Sequence, residues 1–249
     1  MELAVVIPVY NEERLLEASI TRLRNSPVPE GVHRRIVLID DGSRDRSPEI
    51  GAALAARHRD IRYERHARNK GKGGAIRTGL ARALDMGADV ILIHDADLEY
   101  DPADHPRVLA PILAGAADVV IGSRFTAPPR TGLAALHWAV NHAITELSNS
   151  TTGLRLTDME CCTKAMTRAV AERIDLRESR FGIEPELVAK IAGLRTPGGK
   201  PGAFASVRVL EVPVSYSGRT YEEGKKITWR DGVSALRCIM KYAPARRQP

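Results

Sequence analysis

Asp95-Ala96-Asp97 follows a four-residue apolar run and leads into a turn. Two carboxylates one residue apart diverge in extended chain. Where the backbone turns, one can meet a ribose while the other meets a cation. A hard divalent ion such as Mg2+ or Mn2+ takes carboxylate oxygens together with phosphate oxygens, so a pair placed this way suits a diphosphate ligand. Two solvated loop acids would produce the same short pattern, and its weight comes from its neighbours. Asn69-Lys70-Gly71-Lys72-Gly73-Gly74 opens a helical pattern; a glycine-rich turn there can approach an anion closely, with the lysines adding charge. It is neither a Walker A sequence nor G-x-G-x-x-G, so the P-loop and dinucleotide-fingerprint readings lose their main support. Further along, Asp158 and Glu160 are the clustered acids of their region and candidate bases for a hydroxyl acceptor. Helix capping by Asp158 is the structural alternative, and capping serves equally for Glu184 and Glu186.

These polar groups need elements to position them. Four clusters, Pro8–Glu12, Asp40–Ser43, His94–Asp97 and Gly122–Arg124, each end a continuous apolar run: Leu3–Val9, Ile36–Ile39, Val90–Ile93 and Val119–Ile121. Runs of this kind suit strands buried on both faces of a parallel sheet. Between them lie helix patterns. Asn11 is placed to cap a helix with Leu16, Ile20 and Leu23 on one face. Ser47-Pro48-Glu49 reads as cap, first-turn proline and first-turn acid. Ile76, Leu80 and Leu84 mark a third helix, Val108 and Ile112 a fourth. The alternation predicts an α/β fold: an open, mostly parallel, Rossmann-like sheet with helices on both faces. In such sheets the ligand lies outside the carboxyl ends of the strands, where these four clusters stand. The second half is less regular, with a loop over 126–132, helices over Leu133–Leu147 and 184–193, a breaker-rich turn over Thr196–Ala203 and a strand near Val207–Val214.

Composition narrows the class. The chain has 249 residues, 43% hydrophobic, 27% charged and 4% aromatic, which excludes wholesale disorder. No apolar stretch approaches ~18 residues, the length of a spanning helix. The N-terminus, MELAVVIP, carries an acid where a secretion signal carries cations, and Cys161, Cys162 and Cys238 form no C-x-x-C pair; a reduced, cytoplasmic protein is expected. The net charge of +6 and a pI near 9.4 raise nucleic-acid binding as an alternative. Few aromatic residues, no zinc-ligand spacing and no helix-turn-helix or RNA-binding signature stand against it. Five of those six net positive charges fall in residues 219–249. There Trp229, Val233, Leu236 and Met240 recur at helical spacing beside Arg230, Arg237 and Lys241. Such a helix either lies on an anionic membrane or packs its apolar stripe on the domain.

The motifs IPVYNE, IDDGS, NKGKGGA, DAD, GSR and SYSGRTYEEGKK, in this order, resemble glycosyltransferase family 2, and within it the polyprenyl-phosphate (dolichyl-phosphate) sugar transferases. The resemblance spans roughly residues 4–242. It implies a GT-A fold, a nucleotide-sugar donor, Mg2+ or Mn2+, and inversion at the anomeric carbon. It gives one domain over 1–249: a nucleotide-sugar-binding half (1–125), an acceptor-binding half (126–227), and a basic amphipathic helix and tail (228–249).

By the same resemblance, Pro8, Tyr10 and Glu12 border the nucleoside, Asp40 binds base or ribose, and Lys72 and Asp95 face the donor. Asp97 is the principal metal ligand, with Asp95 beside it. Glu99 joins them where many relatives have glutamine. Asp158 matches the acid of an S-D-x-x-S-G-F-R segment. Lys164 stands at that segment's arginine and, with Arg124, on the acceptor side. Cys161-Cys162 replace its Ser-Gly. Arg219 and Lys225 match a late R-x-Y-x-x-x-K element that neutralises the leaving diphosphate. The NKGKGGA turn favours a UDP-sugar over GDP-mannose. The implied acceptor is a polyprenyl phosphate, met peripherally at the inner membrane face; a soluble hydroxyl acceptor, glycan or natural product, is the alternative. A sugar nucleotidyltransferase would need a glycine-rich loop directly after the first strand, where this chain has PVYNEE.

Overall fold

The computed structural model describes residues 1–125, 132–197, 204–218 and 229–243. In chain order the elements are β1 (Glu2–Val9), α1 (Leu16–Asn25), β2 (His33–Asp40), α2 (Ser47–Arg57), β3 (Ile61–Arg65), α3 (Lys72–Asp85), β4 (Val90–Ile93), a 3-10 turn (Pro102–Asp104), α4 (His105–Leu113) and β5 (Val119–Ser123). Then follow α5 (Gly132–Thr152), β6 (Lys164–Thr167), α6 (Arg168–Ala171), α7 (Ile183–Gly193), β7 (Arg195–Pro197), β8 (Phe204–Ser206), β9 (Val209–Pro213) and α8 (Trp229–Tyr242).

Seven strands form one sheet in the order β3-β2-β1-β4-β6-β5-β9, and β7 and β8 form a separate antiparallel pair. Every pairing in the large sheet is parallel except those of β6, which runs antiparallel between β4 and β5. The apolar run of β1 explains the layering. Leu3, Val5, Ile7 and Val9 pack with Leu16, Ile20 and Leu23 of α1, Leu54 of α2 and Leu109 of α4. Ala4 and Val6, pointing the other way, pack with Ile76 and Leu80 of α3, Leu187 and Ile191 of α7 and Ile239 of α8. Period-two alternation between two apolar layers is what a strand covered on both faces requires.

Local expectations fail where side chains have longer-range work. Asn11 does not cap α1: its backbone is left-handed (φ 52°), and its Oδ1 accepts from the Arg44 amide at 2.9 Å. Ser47 begins α2 without capping it, because its Oγ accepts from the Glu12 amide at 2.8 Å. Both residues instead tie the tip of β1 to the β2–α2 connection. β3 and β6 were not expected. IRYER carries three charges in five residues, and KAMT starts with a lysine, so neither shows an apolar run.

The glycine-rich turn also serves a different purpose. The Gly73 and Gly74 amides donate to the Ser179 carbonyl at 3.0 and 3.4 Å, so this helix N-terminus is taken by protein backbone rather than left open for an anion. Gly71 is left-handed (φ +81°), and a Cβ there would overlap the Ser179 carbonyl. Gly71→Ala is therefore expected to cost roughly 2–4 kcal/mol, from left-handed strain plus overpacking. The urea midpoint reads this out; a shift within error would mean that the 178–180 backbone yields freely.

Candidate active site

The strand order reverses between β1 and β4, and the crevice outside their carboxyl ends is where open α/β sheets bind ligands. The His94 amide donates to the Val6 carbonyl at 3.0 Å, which sets the tip of β4 beside that of β1. Asp95, Asp97 and Glu99 follow, all half-buried. Leu98 between the last two acids has φ 63°, a conformation that side-chain-bearing residues seldom adopt. That reversal lets the Asp97 Oδ1 accept from the Glu99 amide at 3.1 Å. Glu99 in turn accepts from the Tyr216 hydroxyl at 2.9 Å.

Asp95 is held by a lysine whose side chain is 14% exposed. Lys72 Nζ, delivered by the first turn of α3, lies 2.9 Å from Asp95 Oδ2, 2.9 Å from Cys162 Sγ and 3.4 Å from Glu184 Oε1. Burial disfavours the Lys72 ammonium, but Asp95, Cys162 and Glu184 outweigh it and hold its pKa well above the usual lysine range. For Asp95, burial pushes the carboxyl up, yet Lys72 prevails and the pKa falls. The expected acceptor-side role of Lys164 gives way here. Its side chain is fully buried, with Nζ between Glu184 and the Cys161 carbonyl, so it serves as counter-ion to Glu184. Glu186 is structural: its carboxylate accepts from the Arg177 and Glu178 amides at 2.7 Å each.

Arg124, at the tip of β5, grips Asp158. Its Nε and Nη2 lie 2.6 and 2.7 Å from the two carboxylate oxygens, its own amide donates to Oδ2 at 3.0 Å, and Asn141 donates to Oδ1 at 3.3 Å. Asp158 neither caps a helix nor offers a lone pair to a hydroxyl proton, since both oxygens are engaged by fixed donors. The base reading of Asp158 therefore loses its geometric ground. The guanidinium also lies 5.2 Å from the centroids of the Phe125 and Tyr216 rings. Tyr216 thus links the Arg124 and Glu99 sides of the crevice, a role that no spacing announced although the residue lies in the SYSGRTYEEGKK motif.

Glu160 behaves differently from Asp158. Its Oε1 is sealed from solvent without a hydrogen-bond partner, and burial, reinforced by Glu184, pushes its carboxyl up to about 7. Pro8 and Tyr10, expected to border the nucleoside, are half-buried at the tip of β1, followed by half-buried Glu12. Asp40 is fully buried, accepting from the Ser43 amide at 2.7 Å and lying 3.4 Å from the Tyr63 hydroxyl. Arg219 and Lys225 lie outside the described residues.

Among the described residues no group of three His, Cys, Asp or Glu side chains could hold a metal unaided. The donor chemistry still fits a hard divalent cation. The β4 tip supplies carboxylate oxygens, and Mg2+ characteristically takes one or two carboxylates and completes its shell with substrate phosphates and water.

Residues 4–175 match the profile of glycosyl transferase family 2. The chain belongs to this family. It is a glycosyltransferase, with relatives that transfer sugars to polyprenyl phosphates. It is 29% identical over 233 residues to the undecaprenyl-phosphate mannosyltransferase of Micrococcus luteus, covering 90% of this chain and 87% of that one. It is 32% identical over 136 residues to the UDP-N-acetylglucosamine–dolichyl-phosphate N-acetylglucosaminyltransferase of Methanococcus voltae, spanning about half of each (50% and 52%). Its fold is similar to that of glucosyl-3-phosphoglycerate synthase from Mycobacterium tuberculosis, a structure in complex with Mn2+, uridine diphosphate and phosphoglyceric acid. That likeness has a TM-score of 0.69 at 17% identity, over 98% of this chain and 78% of the other. The expected GT-A architecture is thereby met.

Two measurements test the local assignments. Asp158→Asn leaves Arg124 buried without its counter-charge and should lower stability by about 3 kcal/mol in urea unfolding; a change within error would show that Arg124 finds another partner. Glu160 has a folded pKa above its unfolded value, so its stabilising contribution is complete below the unfolded pKa and disappears as pH rises through about 7. Glu160→Gln should accordingly match the parent near pH 4 and exceed it in Tm at pH 8. The opposite sign at pH 8 would show that the ionised carboxylate is stabilised in the fold.

Proposed function

We propose that this family 2 glycosyltransferase is a metal-dependent, inverting enzyme that moves a sugar from a nucleotide-sugar, a UDP-sugar in preference to GDP-mannose, to a polyprenyl phosphate. The observation that carries the choice of acceptor is the Arg124–Asp158 pair. The motif acid is bound bidentately by a guanidinium, so its lone pairs are taken and it is not free to act as a proton acceptor. A phosphomonoester is already anionic at pH 7 and needs charge matching, with little or no base catalysis. The relatives support the acceptor: the M. luteus protein is an undecaprenyl-phosphate mannosyltransferase, and the M. voltae protein, which pairs UDP-N-acetylglucosamine with dolichyl phosphate, supports the UDP-sugar as well.

In this reading Pro8, Tyr10, Glu12 and Asp40 receive the nucleoside. Asp97, Asp95 and Glu99 would hold Mg2+ or Mn2+, which when bound neutralises the departing diphosphate. Lys72 fixes the orientation of Asp95 and contributes positive charge at the donor phosphates. Arg219 and Lys225 add charge to the leaving group. Arg124, locked by Asp158 and stacked near Tyr216, is the acceptor-side cation.

A soluble hydroxyl acceptor is the second reading, and Glu160 is what favours it. A carboxyl with a pKa of about 7 and an unpartnered oxygen suits general-base work. The assay uses labelled UDP-sugars and GDP-mannose with Mg2+ or Mn2+ and detergent-dispersed polyprenyl phosphate. Lipid-extractable label that survives Glu160→Gln supports the phosphate acceptor. Label only on a water-soluble acceptor, lost on Glu160→Gln, overturns it. Asp97→Ala should reduce turnover by at least about a hundredfold, several kcal/mol of transition-state stabilisation, with Tm nearly unchanged. Near-normal activity in that variant would remove Asp97 from the site.

A further inference from the structure

α8 packs on the domain through Ala235, Cys238 and Ile239, all buried. The opposite side of the same helix carries Val233, Leu236 and Met240, which are 56%, 42% and 66% exposed. At 100° per residue these three fall within roughly 60° of one another around the helix axis. They are three of the eight exposed large apolar side chains among the described residues, gathered into eight consecutive positions. Periodicity alone leaves open whether the stripe faces the core or the solvent. In the structure a different face of the helix supplies the packing, and the stripe points outward.

Charge lies beside it. Arg237 and Lys241 are exposed along one edge of the stripe. The acid facing them is Glu178, whose Oε1 lies 2.7 Å from Lys241 Nζ; the Lys241 side chain remains 54% exposed. Trp229 and Arg230 extend the two stripes in sequence, and their side chains lie outside the described residues. No described helix is long and apolar enough to cross a membrane. An acceptor with a polyprenyl chain stays in the bilayer and presents its phosphate at the bilayer surface.

We propose that the Val233–Leu236–Met240 face of α8 docks onto an anionic lipid bilayer. This rests on the polyprenyl-phosphate reading above. The apolar side chains enter the headgroup boundary, while Arg237 and Lys241 neutralise acidic headgroups. A stripe of this size gives reversible attachment, weakened by salt because part of it is charge pairing.

The test is co-sedimentation of the full chain with phosphatidylcholine vesicles, with and without phosphatidylglycerol, alongside Met240→Asp and Arg237→Glu. Circular dichroism and thermal unfolding verify that both variants fold. The parent should partition onto the phosphatidylglycerol vesicles and leave them at high salt. Met240→Asp should weaken partition about tenfold or more, and Arg237→Glu should weaken it only on the anionic vesicles. Failure of the parent to bind, or variants that bind as it does, overturns the proposal. So does light scattering that shows a dimer broken by Met240→Asp without vesicle binding, which would assign the face to a second copy of the chain. Transfer to a short-chain, water-dispersed prenyl phosphate is measured separately. If that transfer proceeds while vesicle binding is absent, the surface assignment fails and the acceptor reading stands. If vesicle binding occurs without transfer, the acceptor reading fails.

Discussion

Two lysines placed inside a protein need anions placed there with them, and the crevice is organised by that requirement. Lys72 and Lys164 share Glu184, and Lys72 also takes Asp95. Those four side chains come from the first turn of α3, the start of β6, the first turn of α7 and the tip of β4. Removing any one would leave its partners charged in a poorly solvated place, a situation much costlier than the pairing is favourable. The charges therefore act less as a source of stability than as a fixed relation among four elements. The same relation sets the direction of the Asp95 carboxylate before any ligand arrives.

A second chain of contacts crosses the crevice. Asp158 fixes Arg124, whose guanidinium lies near the face of Tyr216, and the Tyr216 hydroxyl reaches Glu99. Glu211 of β9 holds the backbone of Thr157 and Asp158 through their amides, so the motif acid is supported from behind as well. The acids at the tip of β4 and the Arg124 guanidinium are thus linked by polar contacts, with the left-handed Leu98 supplying the turn that brings Glu99 into them.

The parts of this architecture legible in the amino-acid sequence were those carried by uniform chemistry. Four apolar runs located four strands, because strands covered on both faces need nothing else, and the polar residues ending them located the site edge. What escaped were elements whose residues answer to distant partners. β6 begins with a lysine that is buried only because Glu184 meets it. Asn11 and Ser47 carry ordinary capping residues but bond across to another connection. The glycines of the NKGKGGA turn looked suited to an anion, and proved to be small so that the backbone of residues 178–179 could approach. Asp158 looked like a base until Arg124 stood against it. In each instance the residue type was informative and its partner was not, since the partner lies tens of residues away.

The antiparallel β6 has an architectural consequence. Because it inserts between β4 and β5, the chain leaves the sheet at the tip of β5, makes one long excursion through α5 and the 157–163 segment, and re-enters beside the strand it left. The β5–β6 register is set inside the sheet, at Val119–Met166, Val120–Ala165 and Ile121–Lys164. An excursion returned to the sheet beside both β4 and β5 keeps the 157–163 segment in fixed relation to the β4 acids, with the Cys162 amide on the Tyr100 hydroxyl and the Cys162 thiol beside Lys72. The architecture thus couples the contents of the excursion to the tip of β4 through one shared strand.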